Sequence, residues 1–178
     1  MKNCKQIKDS IRTIPDFPVS GIQFRDITTL MMNSDAFREA CECMAVEVGK
    51  LSQVDYVAGI EARGFVFGAV VAEKLNMGFI PIRKPGKLPA EVISVEYELE
   101  YGNDRIEVHK DAVCKDAVYV LVDDLLATGG TAEAACRLIE KGGGKVAACV
   151  FLVELPKLGG KKRLKNRNVI SIIEFEGD

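Results

Sequence analysis

Two hydrophobic rhythms alternate along the chain. Val54–Ile60, Phe79–Arg83, Ala117–Val122 and Val146–Leu152 are short runs rich in β-branched and aliphatic residues, which predict buried strands. Stretches with helical spacing separate them. Phe37, Ala40, Cys41, Met44 and Val48 share one face of a helix predicted to run to about Leu51, capped by Ser34 or Asn33, with Asp35 in its first turn. Phe65–Leu75 and Gly129–Lys141 predict two more helices, the second stopped by Gly142-Gly143-Gly144. Ile7, Ile11 and Ile14 predict a short amphipathic helix over 4–14, ended by Pro15. Val169–Phe175 reads as a last strand. Strands alternating with helices predict an α/β fold, a parallel sheet covered on both faces.

Two stretches break the rhythm. Asp16–Ile27 is irregular but holds the anchors Phe17, Ile22 and Phe24, so it reads as a loop crossing the core or as a flap over a flat ligand. Lys84–Pro89 is basic and turn-rich. Glu91–Tyr101 and Arg105–His109 then alternate apolar and polar residues around Gly102-Asn103-Asp104, which predicts an antiparallel ribbon with a tight turn there. An insertion of that length in an α/β domain suits a lid. The basic run Lys161–Asn168 reads as a solvated face.

Composition narrows the classes. A chain of 178 residues fits one domain with a sizeable core. Its 48% apolar and 28% charged residues are ordinary for a soluble protein, and a net charge of −2 argues against general affinity for nucleic acid or anionic membrane. The longest uncharged apolar run, Gly64–Ala72, is too short to span a bilayer, and Met1–Lys5 opens no secretory signal. The 6 cysteines form no CxxC pair and the only histidine is His109, so reduced thiols in the cytoplasm are expected in place of a zinc site.

The candidate chemistry gathers at Tyr119–Ala132. A run of β-formers ends in Asp123 and Asp124, and the small-residue loop Ala127-Thr128-Gly129-Gly130-Thr131 leads into a helix. The acids reach the carboxyl edge of a parallel sheet. The loop's backbone N–H groups and the helix N-terminus make an anion cradle beside them. A sugar phosphate carries both the hydroxyls and the anion that such a pairing needs. There is neither a GxxxxGK[ST] nor a GxGxxG run, which disfavours a P-loop nucleotidase and a dinucleotide-binding domain.

This grammar resembles phosphoribosyltransferases that use 5-phosphoribosyl-1-pyrophosphate. Phe17–Asp26, Glu61–Phe65, Ile82–Pro89, Leu99–Gly102, Val122–Thr131 and Leu152–Leu155, in that order, are similar to the adenine branch of that family over nearly the whole chain. The resemblance implies the type I fold: a central, mostly parallel sheet flanked by helices, a small hood from roughly 1–30 plus C-terminal elements, and a β-ribbon lid over roughly 84–105, all in a single domain over 1–178.

The resemblance also implies roles. Ala127, Thr128, Gly129, Gly130 and Thr131 would hold the 5-phosphate, and Asp123 and Asp124 would face the ribose hydroxyls, directly or through Mg²⁺-bound water. Arg63, Arg83, Lys84 and Lys87 would bind pyrophosphate. Phe24 and Leu155 would sandwich adenine while backbone groups of Gln23 and Arg25 read its amino edge. Glu100 would be the catalytic group, acting at N7, and Tyr101 would close the lid; from its residue type alone Glu100 is an exposed hairpin acid. The implied reaction makes AMP and pyrophosphate in purine salvage, with Mg²⁺ arriving with the substrate and a homodimer as the assembly. Two rivals stay open: another base specificity on the same fold (hypoxanthine/guanine, xanthine or orotate), and a regulator that only senses the sugar pyrophosphate. The regulator reading lacks a DNA-binding segment, since few residues precede Phe17.

Overall fold

A computed structural model describes residues 4–98 and 102–176. Its helices are α1 (Cys4–Asp9), α2 (Thr28–Met32), α3 (Ser34–Gly49), α4 (Arg63–Lys74), α5 (Gly130–Lys141) and α6 (Gly160–Arg163). Its strands are β1 (Arg12–Pro15), β2 (Gln23–Asp26), β3 (Tyr56–Ile60), β4 (Gly78–Ile82), β5 (Val92–Glu98), β6 (Asn103–His109), β7 (Val118–Leu126), β8 (Lys145–Glu154) and β9 (Val169–Glu174). A five-stranded sheet has the order β4-β3-β7-β8-β9, and every neighbouring pair is parallel. This is the expected α/β class. β1 with β2, and β5 with β6, form separate antiparallel ribbons.

The period of two along a strand explains the two-sided core. In β7, Val120 and Val122 enter one cluster with Ala40 and Met44 of α3 and Phe67 and Val71 of α4. Tyr119 and Leu121 enter the other, with Ala135, Leu138 and Ile139 of α5. That second cluster also takes Val95, Tyr97, Ile106 and Val108, so the root of the β5–β6 ribbon is core rather than flap. Phe67, Tyr119 and Phe151 are fully buried. Each such side chain stabilises the fold by roughly 1.5–3 kcal/mol. The Tyr119 hydroxyl is satisfied inside: it donates to the Ala112 carbonyl at 3.1 Å and accepts from the Cys114 N–H at 2.8 Å.

Helix α3 starts as its sequence dictates. Asn33 Oδ1 accepts from the N–H groups of Asp35 and Ala36, each at 3.1 Å, so Asn33 rather than Ser34 is the cap.

Two sequence expectations are corrected. The helix predicted over 4–14 ends at Asp9, and Arg12–Pro15 turns back as a strand opposite Gln23–Asp26. Ile7 and Ile11 are buried as their spacing suggests, but Ile14 pairs with Phe24 across the ribbon. The ribbon turn was also misplaced. Asn103 and Asp104 belong to β6, opposite Glu98 and Tyr97. Burial of Val95, Tyr97, Ile106 and Val108 on one face sets that register, because a one-residue slip would turn the whole set to solvent.

Asp26 ties the first ribbon together. Its carboxylate accepts from the Thr28 N–H at 2.9 Å and pairs with the Arg12 guanidinium. Hydrogen bonding from Thr28, with Arg12 next, holds its pKa down at about 2. A depressed acid stabilises the fold above its unfolded value and loses that contribution as pH falls through its folded value. Asp26→Asn should therefore melt at a lower temperature than the parent near neutral pH, and the gap should close as pH falls from 3.8 toward about 2. A gap independent of pH in thermal melts would contradict this.

Candidate active site

The strand order reverses between β3 and β7: β4 lies to one side, β8 and β9 to the other. Ligands of open α/β sheets gather outside the carboxyl ends of the strands at such a point. The turn after β3 delivers Arg63 as the first residue of α4, and the end of β7 delivers Asp123 and Asp124. Both acids lie inside β7 rather than in the loop after it, because the strand runs to Leu126, four residues beyond the end expected at Val122. Arg63 Nε stands 2.9 Å from Asp124 Oδ2 across the reversal. The turn also carries a cis peptide between Glu61 and Ala62. Gly64 lets α4 start this close: a Cβ there would lie 2.6 Å from Asp123 Oδ1 and 3.0 Å from the Val122 carbonyl oxygen.

The acid pair is electrostatically costly. Burial pushes the Asp123 carboxyl well above the usual carboxylate range, and the neighbouring Asp124 charge adds to it. Burial also raises Asp124, against the lowering effect of Arg63. Asp123 Oδ1 accepts from the Asp124 N–H at 2.9 Å. Asp124 Oδ2 has Arg63 nearby, yet it is buried and accepts no hydrogen bond of good geometry from a described residue. An orphaned carboxylate oxygen beside an anion cradle suits a ligand hydroxyl or the water of a bound cation.

The cradle follows directly. Gly129 caps α5 with φ of 81°, a left-handed conformation that favours glycine. The Gly160 backbone packs against the loop from behind: a Cβ on Gly160 would meet the Ala127 carbonyl oxygen at 2.5 Å, and one on Gly129 would meet the Gly160 oxygen at 2.9 Å. Gly130 is buried with Gly129, while Ala127, Thr128 and Thr131 are half-buried. The first-turn N–H groups of α5 lack intrahelical partners and carry the positive end of the helix dipole.

The cations are held by acids that the sequence did not flag. Arg83 Nε donates to Glu61 Oε2 at 3.1 Å, and the same oxygen accepts from the Lys84 N–H at 2.9 Å. The Lys84 N–H bond first, then Arg83, lower the Glu61 pKa despite its burial. Lys84 Nζ pairs with Asp104 and lies 3.2 Å from the Tyr97 hydroxyl. Burial pulls its pKa down, but those two bonds outweigh it, and the net shift is upward. The buried carboxylate of Glu107 accepts from the Gly86 N–H at 3.0 Å, and the Glu107 and Arg83 backbones exchange two 2.8 Å bonds. Together these fix the 83–87 loop against β6. Lys87 itself is exposed, and its carbonyl lies 3.4 Å from Arg83 Nη1. Pairwise sequence logic had no handle on Glu61, Asp104 or Glu107, since their partners lie on other elements.

On the other side stands the aromatic segment. Gln23, Phe24 and Arg25 form β2, and Phe24 meets Phe17 edge-on at 5.2 Å. The Arg63 guanidinium lies 6.0 Å from the Phe24 ring centroid. The Arg25 guanidinium lies 4.5 Å from the Phe175 ring, and its Nε is buried without a hydrogen bond. Leu155 follows β8 and is fixed by its N–H to the Leu126 carbonyl at 3.0 Å, just before the cradle. Glu100 and Tyr101 lie outside the described residues. His109 closes β6 opposite Val92, on the outer ribbon as expected.

Comparison with known proteins agrees with this geometry. The family model described as phosphoribosyl transferase domain matches residues 35–178. A relative from Parvibaculum lavamentivorans named adenine phosphoribosyltransferase is 54% identical, covering 96% of this chain and 98% of its own. The crystal structure of adenine phosphoribosyltransferase from Thermoanaerobacter pseudethanolicus superposes with a TM-score of 0.93 at 50% identity, covering 97% of this chain and 99% of that one. The Saccharomyces cerevisiae enzyme, complexed with D-2,5-dideoxy-2,5-imino-altritol 1,6-bisphosphate and adenine, superposes with a TM-score of 0.90 at 35% identity, covering 96% and 98% of the two chains. With the acid pair, cradle and cation loop all at the strand reversal of a matching fold, this chain belongs to the adenine phosphoribosyltransferases of the phosphoribosyl transferase domain family.

Proposed function

We propose that the chain transfers the 5-phosphoribosyl group from 5-phosphoribosyl-1-pyrophosphate to N9 of adenine, forming AMP and releasing pyrophosphate. One observation carries the reading. Arg63 stands 2.9 Å from Asp124 and 6.0 Å from the Phe24 ring, so a single guanidinium links the anion-and-hydroxyl half of the site to its aromatic half. A sugar pyrophosphate meeting a purine fits that junction. The bisphosphate and adenine of the Saccharomyces cerevisiae complex, carried over to this chain, supply the same two ligand types.

On this reading Ala127–Thr131 hold the 5-phosphate by N–H groups and by the Thr128 and Thr131 hydroxyls. Asp123 and Asp124 accept from the ribose hydroxyls. Phe24 and Leu155 clasp the adenine ring, and the backbones of Gln23 and Arg25 read its amino edge. A backbone carbonyl there accepts from an amino group and repels an oxo group. Arg63, Arg83, Lys84 and Lys87 take the pyrophosphate, whose charge grows as its bond to C1 breaks. N9 attacks C1 with inversion, through an oxocarbenium-like transition state. Glu100 holds or accepts the proton at N7, and Tyr101 closes over the site. The orphaned Asp124 oxygen and its neighbour Asp123 fit Mg²⁺ held through water. When bound, the ion supplies charge neutralisation for the departing pyrophosphate.

The reading places the enzyme in the cytoplasm as a homodimer, with the N-terminal ribbon in its hood and a lid drawn from the exposed part of residues 84–105, the buried root at Val95 and Tyr97 staying in the core. The free thiols Cys41, Cys136 and Cys149, all buried, are compatible with a reducing compartment. Among the described residues no helix is long and apolar enough to cross a membrane. The test is a panel: protein, Mg²⁺ and sugar pyrophosphate with adenine, hypoxanthine, guanine, xanthine or orotate in turn. Nucleotide should appear with adenine, and absence of AMP would overturn the proposal.

A further inference from the structure

Tyr97 is 5% exposed and its ring belongs to the core, so packing alone explains an aromatic residue there. Packing does not explain the hydroxyl. That oxygen lies where four elements meet: β5, β6, the loop after β4 and the first turn of α5. It donates to Asp104 Oδ2 at 3.0 Å. It accepts from Lys84 Nζ at 3.2 Å and faces Thr131 Oγ1 at 3.5 Å. A phenol has one proton and two lone pairs, so these three partners use its full capacity.

Each partner has a meaning on the functional reading. Lys84 is a pyrophosphate cation and Thr131 is the last residue of the phosphate cradle. Asp104 is the cross-strand partner of Tyr97 and pairs with Lys84 as well. An ammonium has three donors; Tyr97 and Asp104 occupy two, which leaves one for an incoming phosphate oxygen. Lysine is a point charge on a flexible stem, so its aim depends on such partners.

We infer that the Tyr97 hydroxyl is a positioning group for the sugar-pyrophosphate donor, fixing Lys84 beside Thr131 so that cation and cradle address one ligand. The inference rests on the functional reading above and adds a residue outside the set implied by resemblance. Two consequences separate it from a packing role. The effect of losing the oxygen belongs to the donor substrate and not to adenine. It also passes through Lys84, so it disappears when Lys84 is already gone.

Tyr97→Phe tests this, because it keeps the ring in the core and removes only the oxygen. Steady-state kinetics should show KM for the sugar pyrophosphate raised about tenfold, the scale of one hydrogen bond to a charged group. KM for adenine and kcat should stay within about twofold of the parent. In a Lys84→Met background, adding Tyr97→Phe should change the donor KM no further. An unchanged donor KM in Tyr97→Phe overturns the inference, as does a tenfold penalty that persists on top of Lys84→Met. A Tyr97→Phe protein with a lowered melting temperature and proportionate losses for both substrates would mean packing only, and also overturns it. The parent enzyme serves as the control: if it makes no AMP, the functional reading has failed, and if it does while Tyr97→Phe matches it, only this inference has.

Discussion

Asp124→Asn is expected to lower kcat/KM for the sugar pyrophosphate by about 10²–10³-fold, the scale of removing one preorganised electrostatic group, while Asp123→Asn is expected to raise the melting temperature near neutral pH. Both results come from the same burial. Asp124 presents a buried oxygen that stands 2.9 Å from Arg63 Nε without a well-formed hydrogen bond from the described residues, and so is available to a ribose hydroxyl or to cation-bound water. Asp123 has its pKa raised by burial first and by Asp124 second. A carboxyl raised in the folded state is harder to ionise there than in the unfolded chain. Stability therefore falls as pH climbs from the unfolded value of about 3.9 through the folded one. Asparagine carries no charge, keeps an oxygen that can accept the Asp124 N–H, and removes that penalty. Thermal melts of parent and Asp123→Asn should diverge as pH rises above about 4 and converge below it. Equal or lower melting of Asp123→Asn at neutral pH would show that the acids are not strained by burial. A gain in stability at the cost of function is what a preorganised charged site leads one to expect.

Glu100→Ala should reduce kcat by about 10²–10⁴-fold, the range of a general acid–base group, with calorimetric affinity for the sugar pyrophosphate nearly unchanged. The structure describes the root of this ribbon rather than its tip. Tyr97 lies 3.5 Å from Thr131, and Glu100 follows Tyr97 three residues later along the chain. The root of the hairpin thus stands at the edge of the phosphate cradle. Unchanged turnover would remove Glu100 from the mechanism. A parallel loss of donor affinity would make it a binding group instead.

The α/β body was legible because its signals are local. Asn33 before an amphipathic face and the glycines after Lys141 bound the helices they were expected to bound. Valine-rich runs marked β3, β7 and β8; β3 ends at Ile60 as expected, while β7 and β8 proved longer at the carboxyl end, where β7 carries both acids in extended form. The failures are equally physical. Ile7, Ile11 and Ile14 fit a helix by spacing, but the hydrogen bonds of Arg12–Pro15 go to β2, which a local pattern cannot reveal. Gly102-Asn103-Asp104 has turn chemistry, yet burial of the Tyr97 face overrode it and set Asp104 opposite Tyr97. The basic run after Gly160 keeps much exposure but is not merely solvated: Lys161 pairs with buried Glu154 at 2.6 Å, and Arg163 with Glu133 at 2.6 Å. In the site, residue types and strand-end positions pointed to Arg63, Arg83, Lys84 and the acid pair. Their counter-ions Glu61 and Asp104 emerged only with the tertiary structure, because neither carries a local signature.

Specificity for adenine as phosphoribosyl acceptor is the central claim, and competition tests it most directly. The enzyme is given Mg²⁺, limiting sugar pyrophosphate and an equimolar mixture of adenine, hypoxanthine, guanine and xanthine, and the nucleotides formed are resolved by mass. AMP should take nearly all the donor. A mixture dominated by IMP, GMP or XMP, or donor consumed without any nucleotide, would contradict the account.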